Sequence, residues 1–450
     1  MSSAVRSSRS PWSGPAAAAV EIIPPSRPYD ADITVPGSKS FTNRALLIAA
    51  MARGRSIVKG ILKSDDSYWM IDSLRRLGID IRLDGETAEI QGCEGTWPNP
   101  SAELFVGSAG TSARFLPGAL AAAPRGAWIV DGSDQLRGRP IAPLLQALRE
   151  LGGRIEPLHG DDSLPVQVQG GGLSGGRVRI SGRVSSQYVS GLLIAAPYAD
   201  GPVTVQLEDD LVQPAYVGIT IQLMRAFGAR VEHAPGYREI HVHPGPYQGR
   251  EITLEADASS ACYFLALPAL APGRVRVTNV GTASLQPDAR FVDVLETLGV
   301  TVRRSAHSLE TERAPGSAKL KGDLTVDMKP MSDQALTLGV LAAFCDGPVT
   351  VTNVGHIRKH ESDRIAALRE NLSRMGARVD EREDSFTVYP APLHGAVIHT
   401  YDDHRNAMAF ALAGTAVPGV RILDPGCVSK TFPGFFETLA RLGVGLRFHP

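Results

Sequence analysis

The chain has 450 residues, 43% of them hydrophobic and 21% charged, a soluble globular composition in a length that calls for two domains. Its 46 basic side chains are balanced by 47 acidic ones, a formal net charge of −1. That balance excludes the basic excess of a nucleic-acid or membrane-surface binder, so any bound anion must be held by cations placed locally.

Residues 1–20 are rich in Ser and Ala, carry Arg6 and Arg9 and hold no acid until Glu21. They lack the compact apolar segment of a secretory signal, so a disordered tail over 1–28 and a cytoplasmic protein are expected. No apolar run reaches the length of a membrane span. Cys93, Cys262, Cys345 and Cys427 stand far apart and read as free thiols in a reducing compartment, not as a zinc site. His241 and His243 share one face of a strand, which an ordinary strand surface explains. Neither a metal nor a cofactor is expected.

The first informative stretch is Pro36-Gly37-Ser38-Lys39-Ser40-Phe41-Thr42-Asn43-Arg44, followed by the apolar run Ala45 to Met51. A Pro-Gly turn, serines able to cap a helix and two cations in the first turns make a helix start suited to an anion. The ending Gly-Lys-[Ser/Thr] of a Walker A loop is absent, because Ser38 stands where that Gly would be.

Farther along, a Gly followed by a β-branched strand recurs at Gly54, Gly126, Gly201, Gly273, Gly347 and Gly419. The period of roughly 73 residues exceeds that of common solenoid repeats. Each repeat also holds a second helix with a hydrophobic-Gly stop, at Gly78, Gly152, Gly228, Gly299, Gly376 and Gly443. Six units of about two helices and several strands, βαβαββ-like, divide into two domains of three. The first helix of each unit is apolar nearly all round and should be buried.

Polar chemistry collects at the starts of those first helices: Ser38 to Ser40, Gly110 to Ser112, Ser185 to Gln187, Asp257 to Ser260, Met331 to Asp333 and Asp402 to Arg405. Capping accounts for the Ser, Thr and Asp residues. It does not account for Lys39, Arg44, Arg114 and Arg405, cations set against the positive end of the helix dipole, which a polyanion would justify. Two further groups, His360-Glu361-Ser-Asp363-Arg364 and Cys427-Val-Ser-Lys430-Thr-Phe-Pro433, look like parts of the same cleft.

Together these motifs, in order over roughly residues 30 to 448, resemble the 5-enolpyruvylshikimate-3-phosphate synthases of the enolpyruvyl transferase family. The resemblance implies an α/β (α+β) fold of two similar lobes, each of three βαβαββ units, as an inside-out α/β barrel. One lobe would comprise 1–35 plus 256–450 and the other 36–255, with the active site in the cleft between them. The implied reaction moves the enolpyruvyl group of phosphoenolpyruvate to the 5-hydroxyl of shikimate 3-phosphate and releases phosphate. It belongs to the shikimate pathway of aromatic amino acid biosynthesis.

By the same resemblance, Lys39, Ser40, Arg44, Ser185, Ser186, Gln187, Asp333 and His360 would hold shikimate 3-phosphate. Lys39, Gly110, Gln187, Arg364, Arg405 and Lys430 would hold phosphoenolpyruvate. Asp333 would be the base at the 5-hydroxyl, Glu361 would shuttle the methyl proton and Lys39 would touch both substrates; a plain helix cap is the alternative for Asp333. The expected partners are these two small molecules only, and the expected state is a monomer.

Several positions depart from the family pattern. Ser108 replaces an Asn, Phe115 a Pro, Gln135 an Arg, Gln213 a Ser, His356 an Asn and His360 a Lys, with Lys359 displaced by one residue. Arg137 or Arg139 could stand in for the Arg missing at 135. An anionic cleft should raise the pKa of His360, so activity should fall above roughly pH 7.5. The competing readings are a paralogous enolpyruvyl transferase with another acceptor and a non-catalytic anion-binding repeat protein. The sister enzyme that acts on a UDP-sugar uses a cysteine within about Asp131–Arg139, where this chain has none.

Overall fold

In the computed structural model, residues 7–14 and 17–450 are described. They form two compact units. The first holds the residues up to Trp12 with Gly37–Glu255, and the second holds Ser13–Pro36 with Ala256–Pro450.

Each unit contains three four-stranded sheets of one design. In the sheet made by Ser101–Phe105, Ala127–Asp131, Arg154–Pro157 and Val166–Gln169, the first two strands pair in parallel, with Ser101 opposite Ala127. The last two form an antiparallel hairpin added beside the second strand. The helix Gly110–Ala121 connects the parallel pair, as a parallel crossover requires. The helix Ala142–Glu150 leads into the hairpin, giving βαβαββ.

The glycine-led strands found in the sequence are the second strands of the six sheets: Arg55–Lys59, Ala127–Asp131, Val203–Leu207, Gly273–Val277, Val349–Thr352 and Val420–Leu423. The second helix of every repeat stops at a glycine in the left-handed region, with φ of 91° at Gly78, 87° at Gly152, 92° at Gly228, 96° at Gly299, 97° at Gly376 and 92° at Gly443. A residue with a Cβ adopts that conformation only at a cost, which explains the sixfold glycine. The amide after the glycine folds back onto the last helical turn, as in Ile79 N to Leu74 O at 3.0 Å and Ala377 N to Leu372 O at 2.9 Å.

The first helices are the interior of each unit. In Lys39–Met51 every residue from Phe41 onward is buried, and Gly110–Ala121 and His404–Gly414 are buried throughout. A helix enclosed on all sides needs apolar residues on all sides, which is why these helices lack a polar face.

The N-terminal segment differs from expectation. Ala19–Ile23 is a central strand, antiparallel to both Val420–Leu423 and Gly445–His449, and Tyr29–Ile33 pairs in parallel with Gly273–Val277. These strands complete two sheets of the second unit, so the disordered tail expected over 1–28 does not extend to them. A five-residue strand lacks the periodicity that would reveal it, and only its partners 400 residues later make it one. Residues 7–12 belong with the first unit, where the Trp69 Nε1 donates to Ser8 O at 2.8 Å and Ser10 Oγ donates to Asp65 Oδ1 at 2.6 Å. The part of the tail at residues 1–6 and 15–16 lies outside the described residues.

Candidate active site

In the first unit the starts of three buried helices are tied to one another. Asn43 Nδ2 donates to Thr111 Oγ1 at 2.6 Å, joining the first helix start to the second. Arg44 Nη2 donates to Ser190 Oγ at 3.2 Å, joining the first to the helix Ser186–Ala195. Tyr188 Oη and Arg114 Nη2 both donate to Pro140 O, at 2.7 and 3.0 Å.

Lys39, the first residue of its helix, reaches Asp66 Oδ2 at 3.3 Å. Ser38 takes the capping position without a side-chain cap, and Ser40 lends its carbonyl to Arg44 Nη1 at 2.9 Å. Arg44 is only 1% exposed. Its Nε donates to Thr220 Oγ1 at 2.7 Å, and its guanidinium lies 5.0 Å from the centre of the Phe115 ring. Burial presses its pKa down to about 10, with only Tyr216 opposing. Among the described residues the guanidinium thus sits against neutral acceptors, with no carboxylate to repay its burial.

Ser185 caps its helix by accepting from Gln187 N at 3.2 Å, and Ser186 is buried. Gln187 Oε1 is buried without a hydrogen-bond partner among the described residues. Gly110 opens its helix beside two arginines: a Cβ there would lie 2.8 Å from Arg139 Nη1 and 2.9 Å from Arg114 Nη1. Arg137 is held by Asp131 at 2.7 Å and by Asp134 at 3.4 Å. Of the two arginines that could replace the one missing at Gln135, Arg139 is the one beside Gly110. Ser108 Oγ pairs with Ser133 Oγ at 2.7 Å.

The second unit gathers carboxylates as well as cations. Arg364, 2% exposed, is the hub. Its Nε reaches Asp403 Oδ2 at 2.8 Å, its Nη1 reaches Asp333 Oδ1 at 3.1 Å, and its Nη2 reaches Glu361 Oε2 at 2.8 Å. Burial opposes the charge of Arg364, but Asp403, Glu361 and Asp333 outweigh it and hold the pKa above the usual arginine value. Arg405 Nη2 donates to Asp333 Oδ2 at 2.8 Å, while its Nη1 donates to Tyr263 Oη at 3.2 Å. Lys430 Nζ lies 3.3 Å from Glu361 Oε1.

Asp403 caps the helix His404–Gly414 through Arg405 N at 3.0 Å, so the cap and the ion pair use one carboxylate. Asp333 is not a cap. It lies within the 3₁₀ turn Lys329–Gln334, and its carboxylate faces the two arginines.

The expectation for His360 is overturned. Burial, and then the Arg364 guanidinium, drive its pKa well below the usual value, against the weaker pull of Asp333 and Glu361. Its Nδ1 lies 3.0 Å from Arg364 Nη1, so Nδ1 must accept and the ring is neutral. The sequence shows that acids are near but not that the ring is buried with the Arg364 guanidinium against its Nδ1. His356 Nε2 pairs with Ser332 Oγ at 2.7 Å, and burial lowers its pKa to about 4. Lys359 is exposed.

Some partners were not evident in the sequence. Asp66, Ser190, Thr220, Tyr263 and Asp288 carry no motif and are recruited by packing. Asp403 stood within a motif, but its salt bridge to Arg364 spans 39 residues and is visible only in three dimensions.

Six βαβαββ-type sheets with polar clusters at the starts of their buried helices define the α/β architecture of the enolpyruvyl transferase class. The model of the EPSP synthase (3-phosphoshikimate 1-carboxyvinyltransferase) family matches residues 23–439. The chain is 50% identical over 445 residues to the 3-phosphoshikimate 1-carboxyvinyltransferase 2 of Halalkalibacterium halodurans, covering 98% of each chain. It is 40% identical over 437 residues to the chloroplastic 3-phosphoshikimate 1-carboxyvinyltransferase of Arabidopsis thaliana, covering 94% of this chain and 84% of that one. An EPSP synthase structure from Acinetobacter baumannii superposes with a TM-score of 0.79 at 26% identity, covering 96% of this chain and 100% of the other. The chain belongs to the EPSP synthase family, a family of transferases.

Proposed function

We propose that this protein transfers the enolpyruvyl group of phosphoenolpyruvate to the 5-hydroxyl of shikimate 3-phosphate, yielding 5-enolpyruvylshikimate 3-phosphate and phosphate. The observation that carries this reading is the second-unit cluster, where Arg364 binds Asp333, Glu361 and Asp403 while Arg405 and Lys430 approach the first two. It supplies two carboxylates for proton transfer and three cations for anionic substrates.

The reaction draws on both sets of residues. Lys39, Ser40, Arg44, Ser185, Ser186 and Gln187 hold shikimate 3-phosphate; the uncompensated guanidinium of Arg44 supports an anion there. Gly110, Arg364, Arg405 and Lys430 hold phosphoenolpyruvate, and Arg139 supplies the guanidinium lost at Gln135. Lys39 serves both substrates. In the addition half, Asp333 takes the proton of the attacking 5-hydroxyl and Glu361 delivers a proton to the methylene carbon. In the elimination half, Glu361 removes a methyl proton as the C–O bond to phosphate breaks, which forms the C=C of the enol ether product, and the proton held by Asp333 leaves with the phosphate. Glu361 stands between Arg364, at 2.8 Å, and Lys430, at 3.3 Å.

Four cysteines far apart in the chain, with no Cys-x-x-Cys pair, support a cytoplasmic setting, and a monomer is the expected state. Phosphate release on mixing the protein with both substrates tests the reading, with a UDP-sugar acceptor as control. Release with shikimate 3-phosphate alone among the acceptors supports it; release only with the UDP-sugar overturns it.

A further inference from the structure

We propose that Asp288 is a positioning residue for the carboxylate of Asp333 and acts through Gln334. This rests on the reading of Asp333 as the base at the 5-hydroxyl.

Asp288 lies in the 3₁₀ turn Pro287–Arg290 and is 1% exposed. Its Oδ2 accepts from Ser259 Oγ and, at 3.1 Å, from Gln334 Nε2. Gln334 Nε2 also donates to Ser259 O at 3.2 Å, and its Oε1 accepts from Thr337 Oγ1 at 3.0 Å. Both ends of the Gln334 side chain are therefore fixed one residue from Asp333.

The turn needs such a tie. Lys329–Gln334 departs from helical geometry at Met331, with φ −134° and ψ 45°, so its backbone does not by itself fix the direction of Asp333. On the other flank, Ser332 Oγ is paired with His356 Nε2 at 2.7 Å. Asp333 is thus gripped between two anchored neighbours while its oxygens face Arg364 and Arg405.

Packing alone would not choose a carboxyl here. Burial, and then the charge of Asp333, raise the pKa of Asp288 to about 6, with Arg405 opposing, and its Oδ1 is buried without a hydrogen-bond partner among the described residues. Only Oδ2 is used, and it holds the helix start Ala258–Ser260 and the Asp333 turn to the same point. A buried polar group retained at such cost is explained by the orientation it enforces.

The test is steady-state kinetics of the full chain with phosphoenolpyruvate and shikimate 3-phosphate, alongside circular dichroism, for Asp288→Ala, Asp288→Asn, Gln334→Ala and the Asp288→Ala/Gln334→Ala double variant. Asp288→Ala is expected to lower kcat about 10- to 100-fold, the scale of a small misplacement at a reacting group, with both KM values within about threefold. Asp288→Asn keeps an acceptor oxygen and should restore kcat to within about threefold of the parent. The double variant should lose no more than the worse single variant, since both break one connection. A folded Asp288→Ala protein with parental kcat, a loss confined to KM, or multiplicative losses in the double variant would overturn the proposal. If Asp288→Ala does not fold, Gln334→Ala decides: lowered kcat supports the connection and parental kcat overturns it. Asp333→Asn in parallel tests the base assignment separately, because turnover retained there removes that assignment whatever Asp288 does.

Discussion

The two units repeat one architecture yet surround their buried arginines differently. In the first, Arg44 is buried against Thr220, Ser190, Ser40 and Tyr216, all neutral acceptors. In the second, the equally buried Arg364 is matched to three carboxylates. An arginine held only by neutral acceptors among the described residues suits the proposed anchoring of an anion, whereas one that clamps carboxylates fixes their orientation. The repeat thus supplies one scaffold for the two proposed tasks, anchoring in one half and acid–base chemistry in the other.

The comparison is broken most severely by removing what the second unit borrows from the N-terminus. Deleting residues 1–24 takes out the central strand Ala19–Ile23 and should leave the second unit unfolded, read by limited proteolysis, while the first keeps its core. Next come the carboxylates. Asp333→Ala and Glu361→Ala should each lower turnover by about 10²- to 10⁴-fold in phosphate release, with far-ultraviolet circular dichroism unchanged. A non-catalytic anion binder would show no such loss.

Arg44→Met sharpens the contrast from the other side. The fall in the Arg44 pKa from 12.5 to about 10 corresponds to about 3 kcal/mol of opposition to its charge. Exchange for an apolar side chain relieves that cost and leaves several acceptors unmatched, so thermal stability should change little. Binding of shikimate 3-phosphate, followed by calorimetry, should weaken at least tenfold. A large loss of stability with affinity intact would make Arg44 structural instead.

Acid titration separates two buried groups of the second unit. Burial lowers the His356 pKa from 6.5 to about 4, so the native state resists a proton that the unfolded chain accepts. That stabilisation is complete above pH 6.5 and is lost as pH falls towards 4, by about 3 kcal/mol in all. Asp288, raised from 3.8 to about 6, has the opposite sign: its contribution is complete below 3.8 and is lost as pH rises through 6. Against the parent, His356→Gln should therefore gain stability between pH 6.5 and 4, and Asp288→Asn should lose it, in urea unfolding. His360 adds the sign of His356, and as a neutral ring it gives no reason for activity to fall above pH 7.5. The smallest effect belongs to the repeat: Gly443→Ala, with φ 92° and no atom within 4 Å of the new Cβ, should cost only about 1 kcal/mol.

Local chemistry was readable directly. The glycines after the second helices, the all-apolar first helices and the glycine-led strands each follow from backbone sterics or burial acting over a few residues, and they determine the sixfold repeat. The cations at the helix starts were equally visible, because a cation at a positive helix end needs an explanation. Tertiary structure decided the rest. It made Ala19–Ile23 a strand, since strand pairing across 400 residues leaves no local trace. It neutralised His360 by burying the ring and placing Arg364 3.0 Å from its Nδ1. It also gave Arg44 neutral neighbours and Arg364 acidic ones, for charge balance at a buried site depends on what packing brings within about 4 Å and not on what is adjacent along the chain.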